Sequence, residues 1–399
     1  MKICILHIGH YLLDESSGVF QKTMAIADAL KKQNIPLQIV NFSTLSSTKN
    51  HPDINAITVT KDNQWKTIDD WISKYIAPDE IIWMRYVFAD HHFFELTKKW
   101  GHQMVLEHNT LEEEEALLIQ KKYWKSLPFA PNRSYLKFTL ETLLYQRTDE
   151  KRWGAKVLKN VLGGITVTYE ISQYEKQRYP DYPTFVLPNC TQFGEDNNAL
   201  ASSTSSEDLS VNQRWVMLIG SWAEWHGLDR LINSLQNTTL SNNKKIQIDI
   251  IGMSSDTVTL PRLPSNIHIQ FLGKIEPSTL DAQLQNYHLA IGSLAFYKIR
   301  IKEACPLKVR DYWKAGLPVL LAYRDTSCIE NNAFSAFQYS TSNDQQPVVI
   351  EDIFDFVIQL YQQKGVKGEI KKMAKEIISY HSKIKNLISF LESIRNKTA

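Results

Sequence analysis

Cysteine is scarce in this chain. The four cysteines lie far apart and no two form a C-x-x-C pair, which argues against a structural zinc site. Cys4 stands inside an apolar run and is expected to be a small buried hydrophobic residue. This pattern predicts a reduced, cytoplasmic setting for the protein.

Long apolar runs are missing as well. No uninterrupted apolar stretch approaches the roughly 18–20 residues that are needed to span a bilayer. The N-terminal run Met1–Gly9 is too short for the apolar core of a signal peptide and is predicted to form a first strand. We therefore expect a protein that is not integral to a membrane, with peripheral contact at the inner face of the cytoplasmic membrane as a further hypothesis.

Neither sign of charge dominates. The 45 basic and 43 acidic residues leave a net charge of only +2, whereas a dedicated nucleic-acid binder carries a strong basic excess. No nucleic-acid partner is therefore expected. The G-x-S-x-G elbow and the P-loop lysine motif are also absent, so hydrolase and NTPase functions are poorly supported. His7, His10, His91 and His92 do not share a ligand spacing, and we expect no metal site.

Strand and helix patterns alternate along the first half of the sequence. The apolar run Ile3–Ile8 is typical of a strand buried on both faces, and apolar residues at helical spacing follow it. Leu37–Phe42 then completes a βαβ unit. Further strands are predicted at Ile81–Met84, Met104–Glu107, Gly164–Thr168 and Phe185–Pro188. This order predicts a mainly parallel sheet with helices on both faces.

A polar segment separates this series from a second one. Residues 195–212 are rich in Ser, Asn and acidic residues, which is typical of a linker or a long surface loop. The strands predicted after it are Trp215–Ile219, Ile246–Ile251, Ile267–Leu272, Leu289–Ile291 and Val319–Ala322, and the helices are Leu228–Leu235, Pro277–Asn286 and Pro306–Ala315. We predict an N-terminal domain over residues 1–194, a C-terminal domain over 213–375, and a helix over 376–399 that returns to the N-terminal domain.

The segment from Glu303 to Pro318 is the most informative part of the sequence. Pro306 suits the first turn of a helix and Gly316 the position just past its end. The start of such a helix exposes backbone N–H groups and a positive dipole end, which suit a phosphate. Glu303 lies before this helix and Asp311 inside it, where each can accept hydrogen bonds from sugar or ribose hydroxyls. In a chain with 43 acidic residues, the acid pair alone is close to chance, and two solvated charges are its simpler interpretation.

The order of these features resembles the retaining GT-B-fold glycosyltransferases, and family four in particular. Those enzymes carry an acid, seven residues, a second acid and a following Gly-Leu-Pro-Val-like strand. Glu303, Leu307, Asp311 and Gly316–Val319 match this pattern, with Asp311 where Glu is usual. The resemblance implies an α/β GT-B fold of two Rossmann-like parallel-sheet domains facing across a cleft. It also implies that Glu303 contacts the donor sugar and Asp311 the ribose.

Other segments match the family in the same order. Gly18 matches the glycine-containing loop that approaches the donor diphosphate, and Gly220 begins a segment that looks like the opening loop of the second domain. Leu187–Cys190 looks like the hinge between the domains, with Cys190 where Gly is usual. His108, after a predicted strand, stands where the family often has a histidine near the transferred sugar. A histidine that caps a local turn is the alternative.

Two cations that are usual in the family are missing. The family has Arg after the glycine of the second-domain loop and Lys before its Gly-Leu, where this chain has Ser221 and His226. A diphosphate leaving group needs positive charge or oriented donors. Lys302, Lys308, Arg230 and a protonated His226 are the candidates to substitute in part. The alternative is a weakened or altered donor site.

The resemblance therefore implies a hexosyltransferase that works with retention of configuration. The expected catalytic residues are Glu303 and His108, and the expected donor-binding residues are Gly18, Gly220, Ser221, His226, Lys302, Leu307, Lys308 and Asp311. No cofactor is expected, and the donor is expected to be a UDP-sugar, with a GDP-sugar as the second choice. The acceptor is expected to be a glycan or a lipid-linked or protein-linked hydroxyl in bacterial surface-polysaccharide or glycoconjugate synthesis. Two alternatives remain: a nucleotide-sugar epimerase of the same fold, and a binding protein without transfer activity.

A basic, aromatic-rich stretch motivates the membrane hypothesis. Leu117–Phe138 mixes apolar residues with lysines and arginine, which suits contact with anionic lipid or with a lipid-linked acceptor. Lys151, Arg152, Lys156 and Lys159 add further basic charge. An amphipathic segment packed on the first domain is the interpretation that we favour.

Overall fold

The computed structural model of the chain forms two compact units. It describes residues 1–9, 18–45, 51–111, 114, 148–193, 208–220, 223–241 and 243–396. Unit 1 comprises Met1–Leu187 and Lys383–Ala399, and unit 2 comprises Pro188–Ser382. The boundary between the units falls within the segment Leu187–Cys190. Most of the polar segment 195–212 and all of Leu117–Phe138 lie outside the described residues.

Unit 1 is built on a seven-stranded parallel sheet. Its strands are β1 (Lys2–Gly9), β2 (Leu37–Ser43), β3 (Ile54–Thr58), β4 (Glu80–Arg85), β5 (Met104–His108), β6 (Gly163–Thr166) and β7 (Thr184–Val186), and its helices are α1 (Gly18–Lys31), α2 (Gln64–Tyr75), α3 (His91–Trp100), α4 (residues 148–160) and α5 (Tyr169–Arg178). The strand order is β3-β2-β1-β4-β5-β6-β7. Connections therefore leave β1 and β4 in opposite directions, and open α/β sheets bind ligands at such a reversal.

Unit 2 repeats this architecture with a six-stranded parallel sheet and adds a two-stranded ribbon. Its strands are β8 (Asn212–Leu218), β9 (Lys245–Ile251), β10 (Ile267–Gly273), β11 (Leu289–Ile291), β12 (Glu303–Ala304), β13 (Val319–Leu321), β14 (Arg324–Asp325) and β15 (Gln338–Ser340), and its helices up to residue 377 are α6 (Leu228–Gln236), α7 (Pro277–Leu284), α8 (Leu307–Lys314), α9 (Thr326–Asn331), α10 (Ile350–Tyr361) and α11 (Val366–Ile377). The sheet order is β10-β9-β8-β11-β13-β15, and β12 pairs with β14 in a separate two-stranded ribbon.

The C-terminal helix α12 (Tyr380–Asn396) contributes to unit 1 from Lys383 onward. Its Phe390 stacks on Phe185, which lies in β7, with 5.5 Å between the ring centroids. Ile394 lies against Gly163 at the start of β6. A Cβ added to Gly163 would be in van der Waals contact with the Ile394 side chain, at 3.5 Å. The last helix therefore covers the β6–β7 edge of the first sheet.

The predicted parallel α/β class is confirmed, and every predicted strand is observed with its ends shifted by at most three residues. The strands β3, β12, β14 and β15 were not predicted. Three of them show no apolar run: β12 and β14 have two residues each, and Gln338–Ser340 of β15 is polar. Their extended form depends on pairing with a neighbouring strand. Within the described part of the chain, no helix is long and apolar enough to cross a membrane.

Candidate functional site

The helix α8 begins at the carboxyl ends of β8 and β11 in unit 2. It was predicted over Pro306–Ala315 and is observed over Leu307–Lys314, with Pro306 as its N-cap residue. Since none of the described side chains caps it, the first backbone N–H groups of α8 lack the usual side-chain acceptor in this part of the chain. A helix start of this kind suits an anionic group.

Tyr312 fixes α8 against the two strands. Its hydroxyl accepts a hydrogen bond from Leu218 N at 2.7 Å and donates to Ile291 O at 3.1 Å. These two backbone atoms belong to the carboxyl-terminal residues of β8 and β11. The start of α8 is therefore held at the edge where ligands of open α/β sheets bind.

Lys308 is the cation at the start of α8. Its Nζ donates to Leu218 O at 3.3 Å and lies 3.2 Å from Nδ1 of His226. Burial lowers the pKa of Lys308 to about 7. An ammonium group has three donors, and the two contacts with Leu218 and His226 leave one donor for a ligand.

His226 is held beside Lys308 by a tight turn. Gly227 has φ +73°, and a Cβ added there would lie 2.9 Å from Leu294. The backbone of His226 accepts from Leu294 N, and its Nδ1 lies 3.4 Å from Ser293 Oγ. Because Nδ1 faces the Lys308 ammonium, two positive charges at this distance would repel each other. This contact disfavours a positive charge on His226 while Lys308 is charged, and a protonated His226 as a second diphosphate cation stays a prediction.

Arg230 does not serve as a diphosphate cation. Its guanidinium donates to the carbonyl oxygens of Gln346, Leu294 and Ser342 at 2.7–2.9 Å, and the residue is only 4% exposed. The side chain holds the loop after β15 against α6. Its hydrogen-bonding capacity is used within the unit, which excludes the substitution considered from the sequence.

Asp311 lies one helical turn after Lys308. Its side chain is half-buried, and burial is the main cause that raises its pKa to about 7. Nearby Lys314 opposes this rise and Asp281 adds to it. A carboxyl group near half-protonation at neutral pH can both donate and accept, which suits a ribose diol.

Glu303 lies in β12, four residues before α8 begins. It lies opposite Arg324 in the register of β12 and β14. Its Oε1 accepts a hydrogen bond from Thr326 Oγ1 at 2.8 Å. The residue is 4% exposed. The sequence placed it in a loop before the helix, whereas pairing with β14 gives it the fixed backbone of a short strand.

A buried ion pair that the sequence did not predict stabilises the elements that carry Glu303 and Asp311. Arg310, on the buried face of α8, pairs with Asp325 of β14, and both side chains are fully buried. Arg310 also donates to Ser327 Oγ and Cys305 Sγ, each at 2.9 Å. This network ties α8 to the strand that pairs with Glu303.

The remaining donor-binding candidates are spread more widely. Leu307 is the first residue of α8, and Gly220 lies just beyond β8 with no atom within 4 Å of an added Cβ. Lys302 is exposed and lines a pocket of about 530 Å³, together with Arg324. Gly18 is the first residue of α1 in unit 1. Ser221 lies outside the described residues.

His108 ends β5 of unit 1, as the sequence predicted, but it is fully buried. Its Nε2 lies 3.2 Å from Tyr182 Oη, and its Nδ1 lies 3.2 Å from Glu175 Oε1. The Tyr86 ring stacks on it at 4.6 Å. His108 has no exposed surface in this structure, and its expected contact with a sugar stays a prediction.

The end of α8 gives a prediction on stability. Gly316 has φ +80°, and an added Cβ would lie 2.5 Å from Lys367 O. Gly316→Ala is expected to destabilise unit 2 by more than the ~1–2 kcal/mol that the left-handed conformation alone costs, since a backbone carbonyl must also move. Gly273→Ala, with φ +66° and an open surrounding, is the matched control. Thermal unfolding of the two variants measures the difference, and equal melting temperatures would contradict it.

Comparisons with known proteins were made at the level of sequence and of structure. No model of a protein family and no curated protein sequence matches this chain. A sucrose-phosphate synthase from Thermosynechococcus elongatus superimposes with a TM-score of 0.63 at 10% identity, over 98% of this chain and 99% of the synthase chain.

Two solved glycosyltransferases are similar as well. An alpha-glucosyltransferase in complex with UDP-glucose and DNA has a TM-score of 0.58 at 12% identity, over 98% of this chain and 99% of its own. WaaG, a glycosyltransferase involved in lipopolysaccharide biosynthesis, has a TM-score of 0.54 at 11% identity, over 100% and 99%. Likeness at such identities establishes the fold. With its two parallel-sheet α/β units, this chain has the GT-B fold found in glycosyltransferases.

Proposed function

We propose that this protein is a glycosyltransferase that moves a sugar from a nucleoside diphosphate to a hydroxyl acceptor with retention of configuration. One observation carries the proposal: Lys308 lies on the first turn of an uncapped helix, at the carboxyl ends of β8 and β11, within a GT-B fold. A cation and backbone N–H groups at this edge suit the diphosphate of a nucleotide donor.

The proposed roles follow the order of the residues around α8. Lys308 and the first N–H groups of α8 stabilise the departing diphosphate, which replaces the cations that the loop after β8 lacks at the family positions. Asp311 binds ribose hydroxyls. Glu303, held by Thr326, accepts a hydrogen bond from a hydroxyl of the donor sugar. The UDP of the alpha-glucosyltransferase complexes makes a UDP-sugar the first donor to test.

The proposed reaction uses the leaving group as the base. The bond between the anomeric carbon and the phosphate oxygen breaks, and the acceptor oxygen bonds to the same face of that carbon. The acceptor proton passes to the released phosphate oxygen. The protein then supplies orientation and electrostatic stabilisation, and no protein base is required. The acceptor class remains that expected from the sequence, a hydroxyl of a glycan or of a lipid-linked or protein-linked glycan.

Nucleotide-sugar binding and donor hydrolysis test this function. A panel of UDP- and GDP-sugars is expected to contain one that raises the melting temperature, because a ligand at 100 times its Kd stabilises by ~2.7 kcal/mol. Glu303→Gln is expected to keep this binding within about tenfold and to lose most of the donor hydrolysis and transfer, as it removes one charged acceptor. Glu369→Gln, an exposed acid on α11, is the control.

Two outcomes would contradict the proposal and separate its alternatives, and a third would contradict the role of Glu303. A protein that binds none of the nucleotide sugars at millimolar concentration is a fold relative that lost donor binding. A protein that converts the donor to its epimer without an acceptor is an epimerase. Full hydrolysis and transfer by Glu303→Gln would remove Glu303 from the proposed site.

A further inference from the structure

A row of polar residues crosses the first sheet near its carboxyl edge. Strand register places Asn41 of β2 beside His7 of β1, and Arg85 of β4 beside Glu107 of β5. The pairing of β1 with β4 ends just before His7 and Arg85, so these two residues continue the row across the middle of the sheet. The row lies where the strand order reverses, at the position that binds ligands in open α/β sheets.

Side chains of helix α1 contact two residues of this row, Glu107 and His7. Lys22 pairs with Glu107 at 2.5 Å and donates to Asn109 Oδ1 at 2.7 Å. His7 Nε2 lies 3.0 Å from Thr23 Oγ1. The Lys22 and Glu107 side chains are only 8% and 7% exposed, so this ion pair is an internal one.

Arg85 is left with a charge that the row does not balance. Despite desolvation, Lys22 and Arg85 together lower the pKa of Glu107 to about 2, and burial lowers the pKa of His7 to about 4. At neutral pH the row and Lys22 therefore hold two positive charges and one negative charge. Glu107 is already paired with Lys22, and Arg85 makes no ion pair or hydrogen bond with any residue that the structure describes.

A second donor without an acceptor lies at the same edge. Asn109 follows β5, the neighbour of β4, and its Nδ2 is buried without a hydrogen-bond partner among the described residues. Its Oδ1 is occupied by Lys22, which fixes the amide with Nδ2 as the remaining group. Among the described residues, neither the half-buried Arg85 guanidinium nor the buried Asn109 amide N–H group has an acceptor, and an anionic group would supply one to each.

We infer that unit 1 binds one anionic group, a phosphate or a carboxylate, through Arg85 and Asn109, and that the acceptor substrate carries this group. The inference rests on the proposed transferase function, which assigns donor binding to the start of α8 in unit 2. The substrate class is therefore a phosphorylated or carboxylated sugar or polyol, and a neutral sugar would leave the Arg85 charge unbalanced. The other source of the same chemistry is the diphosphate of the donor.

Binding of small charged and neutral probes separates these sources. The full chain is titrated with glucose 6-phosphate, glucuronate and glucose, and its UDP-induced thermal shift is recorded in parallel. We expect glucose 6-phosphate or glucuronate to bind at least about tenfold more tightly than glucose, the value of one charge-assisted hydrogen bond. Arg85→Gln is expected to abolish this preference and to keep the UDP shift. Arg152→Gln, exposed on α4, is expected to change neither.

Each contrary result has a distinct meaning. Equal binding of charged and neutral probes by the unsubstituted protein overturns the anion site. Loss of the UDP shift in Arg85→Gln, with the probe preference retained, assigns the anion to the donor and overturns the acceptor class. No UDP or GDP-sugar binding by the unsubstituted protein overturns the proposed function and, with it, the assignment of the anion to an acceptor.

Discussion

Replacing Lys308 with methionine is expected to reduce donor turnover by about 100- to 1000-fold, the effect of removing one preorganised group that stabilises developing charge. The side chain is the cation at the start of α8, and the replacement keeps its apolar stem while removing the ammonium group. Donor hydrolysis and transfer with the nucleotide sugar found in the panel measure the loss. Lys372→Met, exposed on α11, is the control, and an unchanged rate in Lys308→Met would remove this residue from the diphosphate site.

The same residue predicts a pH dependence. Since burial lowers the pKa of Lys308 to about 7, its charge is present below that pH and is lost as the pH rises through it. Affinity for a UDP-sugar, whose phosphates do not titrate in this range, is expected to fall between about pH 6.5 and 8.5, by up to tenfold for each unit above the pKa. Lys308→Arg keeps its charge throughout and should flatten this profile. A profile that is flat in the unsubstituted protein, or equally steep in the arginine variant, contradicts this origin.

Replacing Arg310 with methionine is expected to destabilise unit 2 by ~3–5 kcal/mol, because it leaves the Asp325 carboxylate buried without its partner. Both side chains are completely buried. Arg310 also donates to Asn189 O, so its loss affects the segment Leu187–Cys190 as well. Calorimetry gives the loss of stability, and hydrogen exchange assigns it to unit 2.

The double variant Arg310→Met/Asp325→Asn isolates the unpaired charge. Asparagine has no charge and keeps an oxygen that can cap α9, where Asp325 accepts from Ser327 N at 3.0 Å. We expect the double variant to recover part of the stability that the single variant loses. Arg262→Met, exposed in unit 2, controls for the loss of a surface arginine. If the single and double variants unfold together, packing of the arginine matters more than its charge.

The sequence alone determined the class of fold and the position of α8. Apolar runs without alternation identify strands that are buried on both faces, so the two parallel series were predictable. Pro306 and Gly316 bracket α8 for local reasons: proline lacks an N–H group, and glycine tolerates the left-handed conformation seen at φ +80°. Such features depend on residues a few positions apart.

Tertiary structure decided which charged side chains can serve a ligand. Lys308 and His226 are 82 positions apart, and Arg230 meets Ser342 across 112, so the sequence could not tell which cation remains available. Burial, which removed His108 from the surface, depends equally on distant neighbours such as Tyr182. The row from Asn41 to Glu107 exists only because parallel pairing aligns strands that are far apart in the chain. Charge balance depends on distances between residues from different elements, and these distances are properties of the folded chain.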